Sequence, residues 1–300
     1  MRTLAEIRSL ISRHTRVGEI STPLPGVRLV ALGAPTAPLR AVYQPTFALV
    51  AQGAKRTVLG DKVLEYSAGQ YLVVSVDLPI VGQVFQASGK QPYLAFAMAL
   101  NPRVIATLLL ESAAGISHLM AGQAGLEVGT AAPDLLDSVA RLLQLIDRRD
   151  DFAVLGPMLE REILWRLLTG EQGVSVRQIG LADSRLSQIS RAIQWIRGHY
   201  AEALRIDDLA KVAAMSAPTF FRHFRAVTTM SPLQYQKTIR LQEARARLMA
   251  KGQDVAAIGF AVGYDSPSQF SREYSRYFGM PPGKDMARLR TGSASDGRFA

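Results

Sequence analysis

Asp254-Val255-Ala256-Ala257-Ile258-Gly259-Phe260-Ala261-Val262-Gly263-Tyr264-Asp265-Ser266, followed by Pro267 to Phe278, repeats an earlier stretch. That stretch is Asp207-Asp208-Leu209-Ala210-Lys211-Val212-Ala213-Ala214-Met215-Ser216, followed by Ala217 to Val227. Ser216, Phe220, Arg222, Met230 and Pro232 recur 50 residues on as Ser266, Phe270, Arg272, Met280 and Pro282, and Phe224 recurs as Tyr274. Before the turn the offset is 49, with Leu209 matching Ile258, so the second turn has gained one residue. An offset that changes only inside a turn marks two copies of one supersecondary unit. Each copy reads as helix, tight turn, helix. Asp207 and Asp254 are placed to cap the first helices, and Ser216 and Ser266 the second. Pro218 and Pro267 fall in the first turn, where a missing N–H matters little.

At about 100° per residue, Phe270, Tyr274 and Tyr277 share one face of the last helix. Ser268, Arg272 and Ser275 face the other way, flanked by Gln269, Ser271 and Arg276. In the first copy Phe220, Phe224 and Val227 face inward, while Pro218, Arg222 and Arg225 face out, flanked by Thr219 and Phe221. An apolar back and an Arg/Ser/Gln front, entered from a tight turn, is what reading a major groove requires. Arg bonds guanine edges bidentately, Gln pairs with adenine, and small hydroxyls reach phosphates. A capped N-terminus at Ser216 or at Ser266-Pro267 also offers N–H groups and a positive dipole end to a phosphate. These residues are the candidate DNA contacts. The alternative is a helical bundle whose arginines are solvated surface.

Charge alone leaves the two readings open, but together with the repeat it favours DNA. The net charge is +10, and residues 183–300 hold 18 Lys+Arg against 10 Asp+Glu, whereas residues 1–182 hold 17 against 15. A basic unit beside a near-neutral one points to a polyanion. Between the copies, residues 231–250 read as one long helix of roughly 27–30 Å, close to the roughly 34 Å between successive major-groove faces. Lys237, Arg240, Arg245 and Arg247 on it either meet phosphates or form a solvated face.

The first half differs in character. Residues 1–20 read as a helix. Val27–Leu32, Ala41–Val50, Arg56–Leu59, Lys62–Tyr66, Tyr71–Val76, Ile80–Phe85 and Tyr93–Leu100 are short apolar runs broken by Gly and Pro, with Gly60-Asp61 a two-residue hairpin turn. Such spacing predicts a small barrel or sandwich. Asn101-Pro102 starts a helix running to about Met120, and Gly122–Ala132 is a break. Two amphipathic helices then form a hairpin over about 134–168, and Val174–Leu186 is a tether. Tyr43, Phe47, Tyr66, Tyr71, Phe85 and Tyr93 either line a pocket or fill a core. The expected division is a sensor and dimerisation domain over 1–182, a DNA-binding domain over 183–290, and a disordered tail over 291–300.

The chain has no cysteine, which removes disulfides, thiolate metal sites and cysteine nucleophiles. The four histidines, His14, His118, His199 and His223, lie outside the strand-rich segment and do not pair, so no metal or other cofactor is expected. Phosphate loops and nucleophile elbows are also missing. An enzyme is therefore not expected. With no apolar run long enough for a membrane span and no signal-like start, a cytoplasmic protein is expected.

The C-terminal stretch, about 187–284, resembles the AraC family of bacterial transcription regulators. The resemblance is carried by Asp208-Leu209-Ala210, Phe220-Phe221-Arg222-His223-Phe224, Met230-Ser231-Pro232, Val262-Gly263-Tyr264, Ser266-Pro267-Ser268-Gln269-Phe270-Ser271-Arg272 and Phe278-Gly279-Met280-Pro281-Pro282. Tyr43-Gln44-Pro45, Ala68-Gly69-Gln70-Tyr71-Leu72 and Glu162–Gly170 resemble the subgroup whose first domain is a cupin-like barrel. The resemblance implies an α+β protein: a cupin-like barrel with a helical hairpin, then an all-α domain with two helix-turn-helix units joined by a long helix. It further implies double-stranded promoter DNA as partner, a small-molecule effector in the barrel, homodimers, and RNA polymerase as a partner of any activator. Phe221 stands where the family often has a polar residue, and it either extends the core or touches a thymine methyl.

Overall fold

A computed structural model of the chain describes residues 3–112, 125–181, 184–249 and 254–291. The chain opens with α1 (Leu4–His14), whose Ile7, Leu10 and Ile11 are buried. Nine strands follow: β1 (Glu19–Leu24), β2 (Val27–Leu32), β3 (Leu39–Tyr43), β4 (Thr46–Gln52), β5 (Ala54–Leu59), β6 (Lys62–Ser67), β7 (Gln70–Val74), β8 (Leu78–Gln86) and β9 (Tyr93–Ala99). A tenth, β10 (Leu126–Thr130), completes two antiparallel sheets, ordered β1-β2-β9-β4-β7-β10 and β3-β8-β5-β6. The Gly60-Asp61 hairpin forms as the sequence predicts: Leu59 opposes Lys62, and Gly60 takes a φ of +61° that glycine adopts without strain. Phe47 anchors the core of the larger sheet, with Tyr71 edge-on at 5.3 Å and Phe96 at 6.1 Å.

Four sequence expectations are corrected. The first helix ends at His14, and residues 19–24 form β1, turning into β2 through Gly26 at φ +72°. The run 41–50 is two strands, because Pro45 has no N–H for a ladder. Within the Gly-rich break, Leu126–Thr130 pairs with β7, and Gly129 leaves room for the Tyr71 ring opposite it. The expected tether contains the helix α5 (Gly173–Gly180), which packs on its neighbours.

α1 packs on β2, β4 and β9 of the larger sheet, and three further helices pack on it or on one another: α2 (Pro102–Glu111), α3 (Pro133–Gln144) and α4 (Arg149–Thr169). Asn101 caps α2 by accepting from the Arg103 amide at 3.1 Å, with Pro102 following it, as expected; residues 113–120 of that expected helix lie outside the described residues. The α3–α4 hairpin forms. Its apolar stripes are shared among more partners than each other, because α3 also meets α1 and α4 also meets α2 and α5. Val154, Leu155 and Met158 on α4 stay exposed.

The C-terminal half is all helical: α6 (Arg185–Gly198), α7 (Ile206–Val212), α8 (Ala217–Thr228), α9 (Pro232–Met249), α10 (Val255–Ala261), α11 (Pro267–Phe278) and α12 (Pro282–Thr291). The repeat is geometric as well as sequential. α8 and α11 each have 12 residues and each ends on a left-handed residue, Thr229 at φ +60° and Gly279 at φ +80°. The turns match too, with Ala214 at φ +52° and Gly263 at φ +93°. The expected tail 291–300 lies outside the described residues beyond Thr291.

The matching turn positions respond to opposite substitutions in a way that tests the repeat. Ala214 is exposed and holds a backbone that favours glycine, so Ala214→Gly is expected to leave stability unchanged or raise it by up to about 1 kcal/mol. A side chain at Gly263 would run into the backbone of Ala201, so Gly263→Ala is expected to destabilise by more than about 2 kcal/mol. Denaturant unfolding of the two variants measures both.

Candidate nucleic-acid interface and barrel cavity

The long helix α9 holds the two helix-turn-helix units together. Its first half, with Tyr235 and Ile239, belongs to one core with Leu209, Phe220, Phe224 and Val227 of the first unit. Its second half, with Leu241, Ala244 and Leu248, belongs to a separate core with Ile258, Val262, Phe270 and Tyr274 of the second unit. Its 18 residues span about 27 Å. The four cations expected to reach phosphates or solvent turn inward instead. Lys237 pairs with Glu273 on α11 at 2.7 Å. Arg240 donates to the carbonyls of Tyr200 at 2.6 Å, Glu202 at 2.9 Å and Gly263 at 2.6 Å. Arg245 meets Asp285, a fully buried carboxylate that also accepts from the Tyr274 hydroxyl. Arg247 donates to the Tyr200 hydroxyl at 2.9 Å. Burial pushes the Asp285 carboxyl up, but Tyr274, Arg245 and Arg288 outweigh it and hold the group below the usual carboxylate range.

The reading helices present what the sequence assigned to them, with differences in detail. Pro218, Phe221, Arg222 and Arg225 on α8, and Ser268, Gln269, Arg272 and Arg276 on α11, are exposed; Thr219, Pro267, Ser271 and Ser275 are partly covered. Arg222, Arg225, Arg272 and Arg276 form no ion pair or hydrogen bond among the described residues. Phe221 is 41% exposed, so it does not extend the core. Ser266 caps α11, accepting from the Gln269 amide at 3.5 Å, and Asp254 caps α10 through the Ala256 amide at 3.1 Å. The first copy departs: Arg205, not Asp207, occupies the cap position of α7. Ser216 sits at the cap of α8 but turns its hydroxyl to Thr219 at 3.0 Å, leaving the first-turn amides without a side-chain acceptor. On α11 the Ser275 hydroxyl is taken by the Ser271 carbonyl at 2.7 Å, and Gln269 donates to Glu273. His223 is buried, and burial, with Arg185 and Arg222 nearby, holds it below its ordinary value, so it is neutral at neutral pH.

Between the two sheets lies a cavity of about 70 Å³. Of the six aromatics named from the sequence, Tyr43, Tyr66 and Tyr93 line it; Phe47 and Tyr71 fill the core, and Phe85 is exposed. Lys55, which the sequence reading passed over, also lines it and donates to the Tyr43 hydroxyl at 3.0 Å. The sequence carried little signal for it: β5 reads Ala-Lys-Arg-Thr-Val-Leu, and nothing in that run sets Lys55 apart from Arg56. A larger cleft of about 870 Å³ separates β1, β2 and β3 from α6, α9 and the end of α11, with Arg28, Arg40, Arg197 and Arg245 on its walls. Across the domain boundary Arg197 pairs with Asp77 at 2.6 Å, the Tyr235 hydroxyl donates to the Asp77 carbonyl at 2.8 Å, and Arg40 stacks on Tyr277 at 4.6 Å. Among the described residues no group of three or more His, Asp or Glu is placed to hold a metal ion, and no helix is long and apolar enough to cross a membrane.

Such a pair of braced helix-turn-helix units behind a β-sheet domain defines a class, and comparison with known proteins agrees. Residues 23–175 match the AraC-type transcriptional regulator N-terminus, and residues 209–288 match a helix-turn-helix domain. The chain belongs to the AraC family of transcriptional regulators, a family of regulators rather than enzymes. Among its relatives, the uncharacterized HTH-type transcriptional regulator YdeC of Bacillus subtilis is 24% identical over 50% of this chain and 52% of its own length. The HTH-type transcriptional activator RhaS of Escherichia fergusonii is 29% identical over 48% of this chain and 53% of its own. The chain thus spans about half the length of the curated relatives it matches. ToxT from Vibrio cholerae O395, solved with (E)-4-(8-methylnaphthalen-1-yl)but-3-enoic acid, superposes with a TM-score of 0.59 over 88% of this chain and 98% of its own, at 10% identity. ToxT solved with an unsaturated fatty acid gives a TM-score of 0.56 over 89% and 96%, also at 10% identity. At that identity the likeness is one of fold.

The brace is testable by itself. Arg240→Met removes three charge-assisted bonds to carbonyls and is expected to lower unfolding stability by about 2–4 kcal/mol. A loss below about 0.5 kcal/mol in denaturant unfolding, the size of an ordinary surface change, would mean that Arg240 does not hold the units together.

Proposed function

We propose that this chain is a sequence-specific transcription regulator that reads two adjacent major-groove segments of a promoter, one with α8 and one with α11. The observation that carries this reading is the set of four exposed arginines without partners, Arg222, Arg225, Arg272 and Arg276, on matching helices, while the cations of α9 between them are spent inward. Residues 183–290 are the DNA-binding domain in this reading, and residues 1–182 sense a small molecule in the barrel. The ligands in the ToxT structures support an effector for this fold. A soluble protein of the bacterial cytoplasm is the corresponding location, and an activator would also contact RNA polymerase.

Arg272 is the main base reader here, because Ser268 and Gln269 beside it offer polar groups while Arg222 stands between Pro218 and Phe221. The experiment is an anisotropy titration against single-base variants of a site selected from random duplexes. Wild-type binding is expected to weaken steeply between 50 and 200 mM salt as phosphate contacts release counterions. Arg272→Ala is expected to lose about 1–3 kcal/mol and to flatten the base preference. Arg222→Ala should weaken binding with less change in preference. An unchanged rank order and spread for Arg272→Ala would make it a phosphate contact.

A homodimer is the second part of the proposal, and a second copy is the occupant we assign to the exposed α4 patch of Val154, Leu155 and Met158, which is 62% exposed at Met158. The patch lies on the hairpin, away from the reading helices in sequence, and two-fold pairing would match two half-sites. Sedimentation of the full chain at high micromolar concentration is expected to show a dimer that Met158→Glu weakens at least tenfold, about 1.4 kcal/mol. A wild-type monomer at that concentration would remove the dimer.

A further inference from the structure

We propose that the cavity between the sheets is a recognition site for a small carboxylate, held by the Lys55 ammonium and the Tyr93 hydroxyl, with Arg28 at its mouth. The inference rests on the reading of the barrel as the effector domain and adds the chemical class of the effector.

The argument begins with charge. A cation taken out of water is stabilised by a carboxylate or it sheds its proton. Lys55 reaches into the barrel, its Nζ 3.0 Å from the Tyr43 hydroxyl and 5.1 Å from the Tyr43 ring centre. No ion pair joins Lys55 or Arg28 to an acid among the described residues. Lys55 is half-buried; burial pushes it toward its neutral form, while the Tyr43 hydroxyl accepts from the ammonium at 3.0 Å and, with the nearby Tyr66 and Tyr93, holds it above its ordinary value. Phenols accept from a cation but do not neutralise it. The site is one negative charge short.

A second observation is independent of the lysine. Tyr93 is 3% exposed and lines the cavity, yet its hydroxyl has no hydrogen-bond partner among the described residues. The Tyr93 hydroxyl is open to the cavity space, whereas Tyr66, its neighbour in the same wall, bonds Thr57 at 3.1 Å. A carboxylate between Lys55 and Tyr93 would take a proton donor from each. The remaining walls are apolar, from Val84, Ala95 and Phe96, which suits a short hydrocarbon stem. Gly82 is part of the cradle, since a Cβ there would stand 2.7 Å from the Tyr43 hydroxyl and 3.2 Å from the Lys55 Cε. A water needs roughly 10–15 Å³ of such space, so a cavity of about 70 Å³ suits a carboxylate with a short stem.

The position suits regulation. Arg28, Leu39 and Thr46 line both this cavity and the large cleft that faces α9. The cavity therefore shares a wall with the cleft that faces the DNA-binding domain.

The test uses the full chain with sodium propionate and with propionamide, its neutral isostere, at matched ionic strength, read by the melting temperature. Propionate is expected to raise the melting temperature in a saturable way and propionamide is not. Lys55→Met should melt at or above the wild-type temperature without ligand, because it removes a half-buried cation that has no acid partner, and should lose the response. A structural strut would instead lower the melting temperature on removal. Tyr93→Phe, which keeps the ring, should weaken propionate about fivefold; it covers the case in which Lys55→Met does not fold. Equal shifts by both probes that survive Lys55→Met would overturn the carboxylate class while leaving the barrel as an effector site. No shift with propionate up to 50 mM, with DNA binding intact, would overturn the carboxylate site without touching the DNA-reading proposal.

Discussion

Arg240 sits where two small domains and a connector meet, and its guanidinium is shared among three carbonyls from the loop after α6 and the turn before α11. Three charge-assisted bonds from one planar group fix both position and orientation. Gln236, one turn earlier, donates to two of the same carbonyls, Tyr200 and Glu202. Lys237 and Arg245 then tie α9 to the second unit through Glu273 and Asp285. The two reading helices are held by two separate hydrophobic cores, so their mutual orientation depends on this polar spine along one helix. The cations used for it are turned away from solvent, which fits the proposal that the arginines of α8 and α11 do the reading.

The two units are not equivalent in their surroundings. The core of the first is continuous with that of the β-sheet domain, and the Asp77 contacts from Arg197 and Tyr235 join the same region. The core of the second stands apart. The barrel therefore touches the first unit through close-packed apolar side chains, and the second through the Arg40–Tyr277 contact. The first unit also carries the poorer polar front, with Pro218 and Phe221 beside Arg222.

Inside the barrel the same economy of polar groups recurs in reverse. Buried Asp285 is satisfied by Arg245, Arg288 and Tyr274. Lys55 has phenols but no acid, and the Tyr93 hydroxyl has no partner among the described residues. Complete satisfaction marks a group that holds the fold, and incomplete satisfaction around a cavity marks one that awaits a ligand.

The sequence alone determined the double unit, its faces and its single-residue insertion, because helical period, caps and a 49-to-50 offset are local properties that survive without neighbours. It also determined the hairpin at Gly60 and the cap at Asn101, where one residue type sets the backbone. It misjudged what depends on partners. Leu126–Thr130 became a strand because β7 offered an unpaired edge, and residues 173–180 became a helix because α2 and α4 offered an apolar surface. Which of the aromatic side chains border the cavity, and that Lys55 joins them, followed from strand register across two sheets. Above all, the fate of the cations on α9 was a tertiary decision: their spacing fits a solvent-facing stripe, and only the carbonyls and carboxylates brought in by distant segments turned them into a brace.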